Sequence, residues 1–250
     1  MTTSPMNGKV AVVTGGSGGI GSEIARQFAQ AGAAVIITYR NAQAAAEHLL
    51  AELPGGMHWS RQLDVDDTGA LTAFAADVKS RQGRCDVLVN CAGITRFVAH
   101  PDLDALDDEL IDRIFRVNWR GAFAAVRAFR PLLEQTGEAL VVNISSIAGV
   151  TAMGSNIAYC ASKAALDSMT KSLARALAPA IRVVSVSPGL VDTEFVRGLD
   201  QSWRDEQAKR TPLGRLATPQ EVGATVLAVA TTLKYSNGCI IAVDGGRPLT

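Results

Sequence analysis

The chain has 250 residues, 48% of them hydrophobic, with 24 acidic and 24 basic side chains that cancel to zero net charge. Such a length buries one large core without requiring a second. The charge balance offers no basic footprint for nucleic acid or for an anionic membrane surface. The four cysteines, Cys85, Cys91, Cys160 and Cys239, form no Cys-x-x-Cys pair and no metal-ligand spacing. Free thiols in a reducing compartment and no metal site are therefore expected. The first eight residues lack a basic stretch leading into an apolar one, and no apolar run reaches membrane-spanning length. These features predict a soluble cytoplasmic protein of one domain, residues 1–250.

Lys9 to Thr14 is a short β-branched run with the character of a buried strand. Thr14-Gly15-Gly16-Ser17-Gly18-Gly19-Ile20-Gly21 follows at once, and residues 22–31 read as a helix stopped at Gly32. A strand, a glycine loop and a helix in this order are what a dinucleotide phosphate loop needs. Gly15 permits the tight turn, Gly19 lets backbone approach a pyrophosphate, and Gly21 lets the helix pack on the strand. Ser17, Gly18 and Ile20 complete the loop where free amides of the helix N-terminus would face phosphates.

Residues 33–39 form the second predicted strand. Tyr39-Arg40-Asn41 follows it, without the acid that would hold the ribose hydroxyls of NAD. Arg40 can pair with a 2′-phosphate and stack on adenine, which predicts NADP(H) over NAD(H). The alternative for Arg40 is a solvated charge at a strand end. An alanine-rich helix over 42–53 and a third strand over 57–63 lead to Asp64-Val65. Asp64 either lies on the ligand edge of a parallel sheet or caps a helix over 66–81. The fourth strand, 85–90, runs into Asn90-Cys91-Ala92-Gly93, where Gly93 permits close approach of a cofactor.

A long amphipathic helical region is expected over 103–129, ended by Pro131. It carries Asn118 among apolar positions; a buried amide must be hydrogen-bonded, so Asn118 either braces the helix or holds a water. The fifth strand, 139–145, brings Ser146 to its end. The helix predicted over 156–178 sets Tyr159 and Lys163 on one face, about one turn apart. A phenol ordinarily titrates near ~10, and an adjacent ammonium favours the phenolate. Tyr159 is thereby suited to proton transfer with a carbonyl or alcohol, and the Ser146 hydroxyl could polarise the same oxygen. A sixth strand, 181–187, ends at Pro188-Gly189. Residues 190–213 are polar and poorly periodic and predict a lid. Its Phe195, Leu199 and Trp203 either line a partly apolar pocket or pack the lid down. A helix over 219–233 and a strand over 239–243 close the chain. Strands and helices alternate without a break in composition, which predicts an α/β fold of the Rossmann type. It has one doubly wound parallel sheet of about seven strands with helices on both faces.

Taken together, Thr14-Gly15-x-x-x-Gly19-x-Gly21, Asn90-Cys91-Ala92-Gly93, Asn118, Ser146, Tyr159-x-x-x-Lys163 and Pro188-Gly189-x-x-x-Thr193 resemble the short-chain dehydrogenase/reductase family over residues 8–247. The resemblance implies that Tyr159 is the acid/base and that Ser146 orients the substrate. It implies that Lys163 lowers the Tyr159 pKa and holds the nicotinamide ribose, with Asn118 holding a proton-relay water. Thr193 and the backbone near Val191 would hold the nicotinamide carboxamide, Asp64 and Val65 would flank adenine, and a homotetramer is implied. Cys91 departs from the family, many of whose members have Asn there. Residues 90–96 and 212–216 look most like 3-oxoacyl-(acyl-carrier-protein) reductases, which grip an acidic carrier with basic residues near the site mouth. Here residues 133–139 and 178–181 hold no Lys or Arg, so steering of an acidic partner is weak. A small-molecule carbonyl or alcohol substrate is expected. The carrier-protein reductase and a non-catalytic NADP(H)-binding sensor are the alternatives.

Overall fold

β1 (Val10–Thr14) is buried at every position, the outcome for a β-branched run with helices on both of its faces. It belongs to a computed structural model that describes residues 4–249; residues 1–3, residue 250 and the side chain of Phe195 lie outside the described part. The other strands are β2 (Ala34–Tyr39), β3 (Trp59–Gln62), β4 (Val87–Asn90), β5 (Ala139–Ile144), β6 (Ile181–Pro188) and β7 (Ile240–Val243). All pair in parallel in the order β3-β2-β1-β4-β5-β6-β7. One face is covered by α1 (Gly19–Gln30), α2 (Gln43–Glu52) and α10 (Pro219–Thr231), through Phe28, Leu49 and Val226. α3 (Thr68–Gln82), α5 (Ala122–Glu134) and α7 (Ile157–Leu177) cover the other. There Phe74 meets Phe129 edge-on at 5.4 Å and Trp59 at 5.8 Å. Chain order reverses between β1 and β4, and in such sheets the crevice beyond the strand carboxyl ends at this point takes the ligand.

Several boundaries differ from the sequence reading. Residues 103–129 do not make one helix. α4 (Asp108–Phe115) passes into a π-helical turn (Arg116–Gly121) and then into α5. Pro131 does not end α5, which runs to Glu134. The proline costs about 3 kcal/mol in a helix interior, but Leu132 and Leu133 in the following turn are buried and offset it. The third helix starts at Thr68, and Asp67 caps it by accepting from the Ala70 amide at 2.9 Å. Asp64 is not that cap.

Two short helices occupy part of 190–213. α8 (Glu194–Arg197) follows α6 (Ala148–Thr151) and α7 in chain order, and α9 (Gln201–Lys209) comes next. Thr193 and Asp200 cap them. α9 buries none of its residues, which removes the apolar spacing that would have revealed it. Asp192 ties both to the segment leaving β6, through Arg197 at 3.2 Å and Arg204 at 3.1 Å. No helix among the described residues is long and apolar enough to cross a membrane.

Candidate active site

The site begins at the end of β1. Thr14 donates its hydroxyl to the Val89 carbonyl at 3.3 Å and accepts the Cys91 and Ala92 amides at 3.1 and 3.2 Å. One side chain thus fixes the glycine loop against the turn after β4. Gly15 has φ +66°, and a Cβ there would stand 2.9 Å from the Ala92 Cα. Only glycine meets both demands without strain. A Cβ on Gly21 would stand 2.3 Å from the Gly15 carbonyl oxygen, so the first turn of α1 rests directly on the loop. Gly19 faces the Thr193 side chain, which its Cβ would approach to 3.0 Å. From β2, the Thr38 hydroxyl accepts the Gly15 amide at 3.2 Å.

These elements open on a cleft of about 670 Å³. Gly15, Ser17, Gly18, Gly19, Ile20 and Gly21 line it together with Arg40, Asp64 and Val65, and so do Ala92, Gly93, Tyr159 and Lys163. Tyr159 enters from the first turn of α7. Asn156 caps that helix, its Oδ1 accepting the Tyr159 amide at 2.7 Å. Lys163 is 6% exposed and donates from Nζ to the Ile144 carbonyl at 2.8 Å. That Nζ lies 5.6 Å from the centroid of the Tyr159 ring.

Asn118 spends its amide on bracing. Oδ1 accepts the Ile94 amide at 2.8 Å, and Nδ2 donates to the Ile94 carbonyl at 3.0 Å and to Ser162 Oγ at 3.1 Å. The π-helical turn thereby grips the wall of the cleft and α7 together. Ser146 Oγ accepts the Ala148 amide at 3.2 Å at the start of α6.

Other predicted residues lie apart from the cleft. Asn90 is buried at the end of β4, and its Nδ2 donates to Asn143 Oδ1 at 2.9 Å and to the Ala122 carbonyl at 3.4 Å. These bonds join β4, β5 and α5, and Asn90 is not among the residues that line the cleft. Pro188 ends β6, Gly189 packs on Asp244, and Val191 is buried. Of this segment Thr193 comes nearest the glycine loop, through the contact with Gly19.

The sequence reading did not single out Thr38, Thr95 or Ser145, which also line the cleft. A polar residue at a strand's carboxyl end is the signal that could have found Thr38 and Ser145. Cys91 lines it too, and burial pushes its thiol up to about 11 against the opposing field of Lys163. Its thiol is therefore not a nucleophile at neutral pH.

Physically, the glycine cradle has room for backbone amides to meet a pyrophosphate where any Cβ would fill it. The cleft can hold an extended dinucleotide whose far end reaches Tyr159 and Lys163. A family model described as enoyl-(acyl carrier protein) reductase matches residues 15–247. The chain is 35% identical over 246 residues to a 3-oxoacyl-(acyl-carrier-protein) reductase of Thermotoga maritima, covering 96% of this chain and 98% of that protein. It is 36% identical over 255 residues to a galactitol 2-dehydrogenase (L-tagatose-forming) of Cereibacter sphaeroides, covering 98% and 97%. Among solved structures, a double mutant of a Serratia marcescens short-chain dehydrogenase/reductase superposes with a TM-score of 0.91 at 31% identity, covering 98% of this chain and 99% of that one.

Proposed function

Because the chain belongs to the short-chain dehydrogenase/reductase family, a family of oxidoreductases, we propose that it moves a hydride between NADP(H) and a small carbonyl or secondary-alcohol substrate. The observation that carries this reading is one continuous cleft from the glycine loop and Arg40 to Tyr159 and Lys163. When bound, the reduced nicotinamide supplies the hydride with its electron pair. Tyr159 gives its phenolic proton to the carbonyl oxygen as the carbonyl carbon takes the hydride, and the product is the alcohol. The phenolate is reprotonated from solvent. In the reverse direction Tyr159 removes the alcohol proton. The Lys163 ammonium, within 5.6 Å of the Tyr159 ring centroid, stabilises negative charge on that side chain and offers donors to a ribose hydroxyl. Ser146, at the foot of α6, orients the substrate oxygen. Asn118 acts by holding the wall at Ile94 and Ser162 of the helix that carries Tyr159, and its Oδ1 keeps a second lone pair that could accept from a relay water.

Arg40 follows β2 at the cleft rim, where a 2′-phosphate would reach it, and Tyr39, Asn41 and Ala42 around it carry no carboxylate. This supports NADP(H) over NAD(H). Asp64 and Val65 flank the adenine in this reading, and Pro188, Gly189, Val191 and Thr193 frame the carboxamide end. Residues 190–213 act as a lid on a single catalytic domain, latched at Asp192. A homotetramer belongs to the same reading, since α5 and α7 present Phe123 and Ile157 partly exposed. A cytoplasmic setting is consistent with four unpaired cysteines. Relatives named for reducing a 3-oxoacyl group and for forming L-tagatose from galactitol support carbonyl–alcohol chemistry.

The test is NADPH consumption across ketones, aldehydes and an acetoacetyl thioester. Turnover of simple carbonyls supports the proposal. A strong preference for the thioester would shift it to the carrier-protein reductase, and saturable NADPH binding without any turnover would favour a sensor.

A further inference from the structure

Asn156 is fully buried, and its single amide serves two elements at once. Oδ1 accepts the Tyr159 amide at 2.7 Å and so caps α7. Nδ2 donates to the Arg96 carbonyl at 2.7 Å and to Thr95 Oγ1 at 3.2 Å. The Thr95 hydroxyl in turn bonds Ser155 Oγ, and the Val98 amide donates to the Ser155 carbonyl at 2.8 Å. Ile94 and Thr95 line the cleft beside Tyr159 and Lys163. The cleft wall beside Tyr159 is therefore held at Ile94 by Asn118 and at Thr95 and Arg96 by Asn156.

We propose that Asn156 is a positioning residue that sets the gap between Tyr159 and the substrate wall, and through it the choice of substrate. This rests on the reading of Tyr159 as the acid/base. An amide is required because one end must accept and the other donate. A carboxylate would cap the helix equally well but would face the Arg96 carbonyl with a second acceptor. A serine would cap and fall short of the wall. The two functions are thus separable by substitution.

The experiment compares Asn156→Ser, Asn156→Asp and Asn156→Ala with wild type, using the carbonyl compound that wild type reduces fastest and its next three rivals. Asn156→Ser and Asn156→Asp are expected to keep NADPH affinity within about twofold, since Ser, Asp and Asn cap helices almost equally well. Their KM should rise about 10-fold with the loss of the wall's hydrogen bonds, and the ranking of the four compounds should flatten. Asn156→Ala should lower kcat as well. Hydrogen exchange gives a readout independent of turnover. Exchange in residues 94–98 should quicken in all three variants, and at the start of α7 only in Asn156→Ala. Unchanged KM, ranking and exchange in the Ser and Asp variants would overturn the proposal. Tyr159→Phe is run alongside. Full turnover in that variant would refute the acid/base reading itself, whereas its inactivity with unaltered Asn156 variants would refute only the positioning role.

Discussion

Asp86 and Asp167 are both buried acids, and their surroundings drive them in opposite directions. Burial pushes the Asp86 carboxyl up, but Arg84 at 2.6 and 2.8 Å, the Val10 amide at 2.9 Å and Lys9 at 3.2 Å together hold it below its ordinary value. Burial pushes Asp167 up as well. There the nearby Ser145 and Ser185 hydroxyls and the Lys163 and Lys171 cations offset only part of the effect, and no hydrogen bond of good geometry reaches either oxygen. The consequences for stability have opposite signs. A lowered folded pKa stabilises above the unfolded value near ~3.9, and the benefit is lost as pH falls through the folded value. A raised one favours the fold below that value and loses ground as pH rises. Urea unfolding should therefore find Asp86→Ala about 3 kcal/mol less stable at pH 7, with the deficit shrinking in acid. Asp167→Asn should be more stable than wild type at pH 7, with the gain vanishing below about pH 4. A loss of stability at pH 7 in Asp167→Asn would show that its charge is compensated in the fold.

At the scale of elements, the junction of β1 and α1 was the most legible part of the chain. Its glycines are demanded one by one, by a positive φ at Gly15 and by backbone 2.3 Å from the Cβ position at Gly21. Gly21→Ala should lift α1 off the loop. We expect NADPH affinity, read by fluorescence titration, to fall at least about 10-fold, the order lost with one or two phosphate hydrogen bonds. Unchanged affinity would mean that the loop does not cradle the pyrophosphate.

The π-helical turn at Asn118 was not legible, because one extra residue in a helix leaves no mark in spacing or composition. Asn156 was passed over as the plain start of a helix. Its second set of bonds goes to residues 60 or more positions away, which local pattern does not encode. Asn90 belongs to the turn motif expected to approach a cofactor, while its Nδ2 donates to Asn143 and to the Ala122 carbonyl, partners far away in the sequence. Pro131 misled because helix-breaking is a local cost that burial of Leu132 and Leu133 overrides. The two short helices of 190–213 did carry signals, Thr193 and Asp200 at N-cap positions, without the apolar stripe that draws attention to them.

Across the whole molecule, the sheet order brings together residues from opposite ends of the sequence. β1 and β4 lie side by side, so the glycine loop at residues 15–21 meets the turn at 91–93, and β5 next to them delivers Ile144 and Ser145 under Lys163. Alternation of strands and helices predicted this architecture, and the parallel order follows from right-handed crossovers. Arg40 and Tyr159 both line the cleft, Arg40 from the end of β2 and Tyr159 from the first turn of α7. Arg40→Asp should weaken NADPH about 10-fold, the scale of a charge-assisted hydrogen bond, and leave or improve NADH. Titration of both cofactors checks this, and a wild type that already prefers NADH would contradict it.

The most direct measurement compares wild type with Tyr159→Phe for carbonyl-dependent NADPH oxidation, with NADPH affinity measured on the same samples. Loss of a positioned proton donor should cut turnover by about 100-fold or more while NADPH affinity stays within about twofold. Turnover retained in Tyr159→Phe would contradict the assignment of Tyr159 as the acid/base and the account of the site built on it.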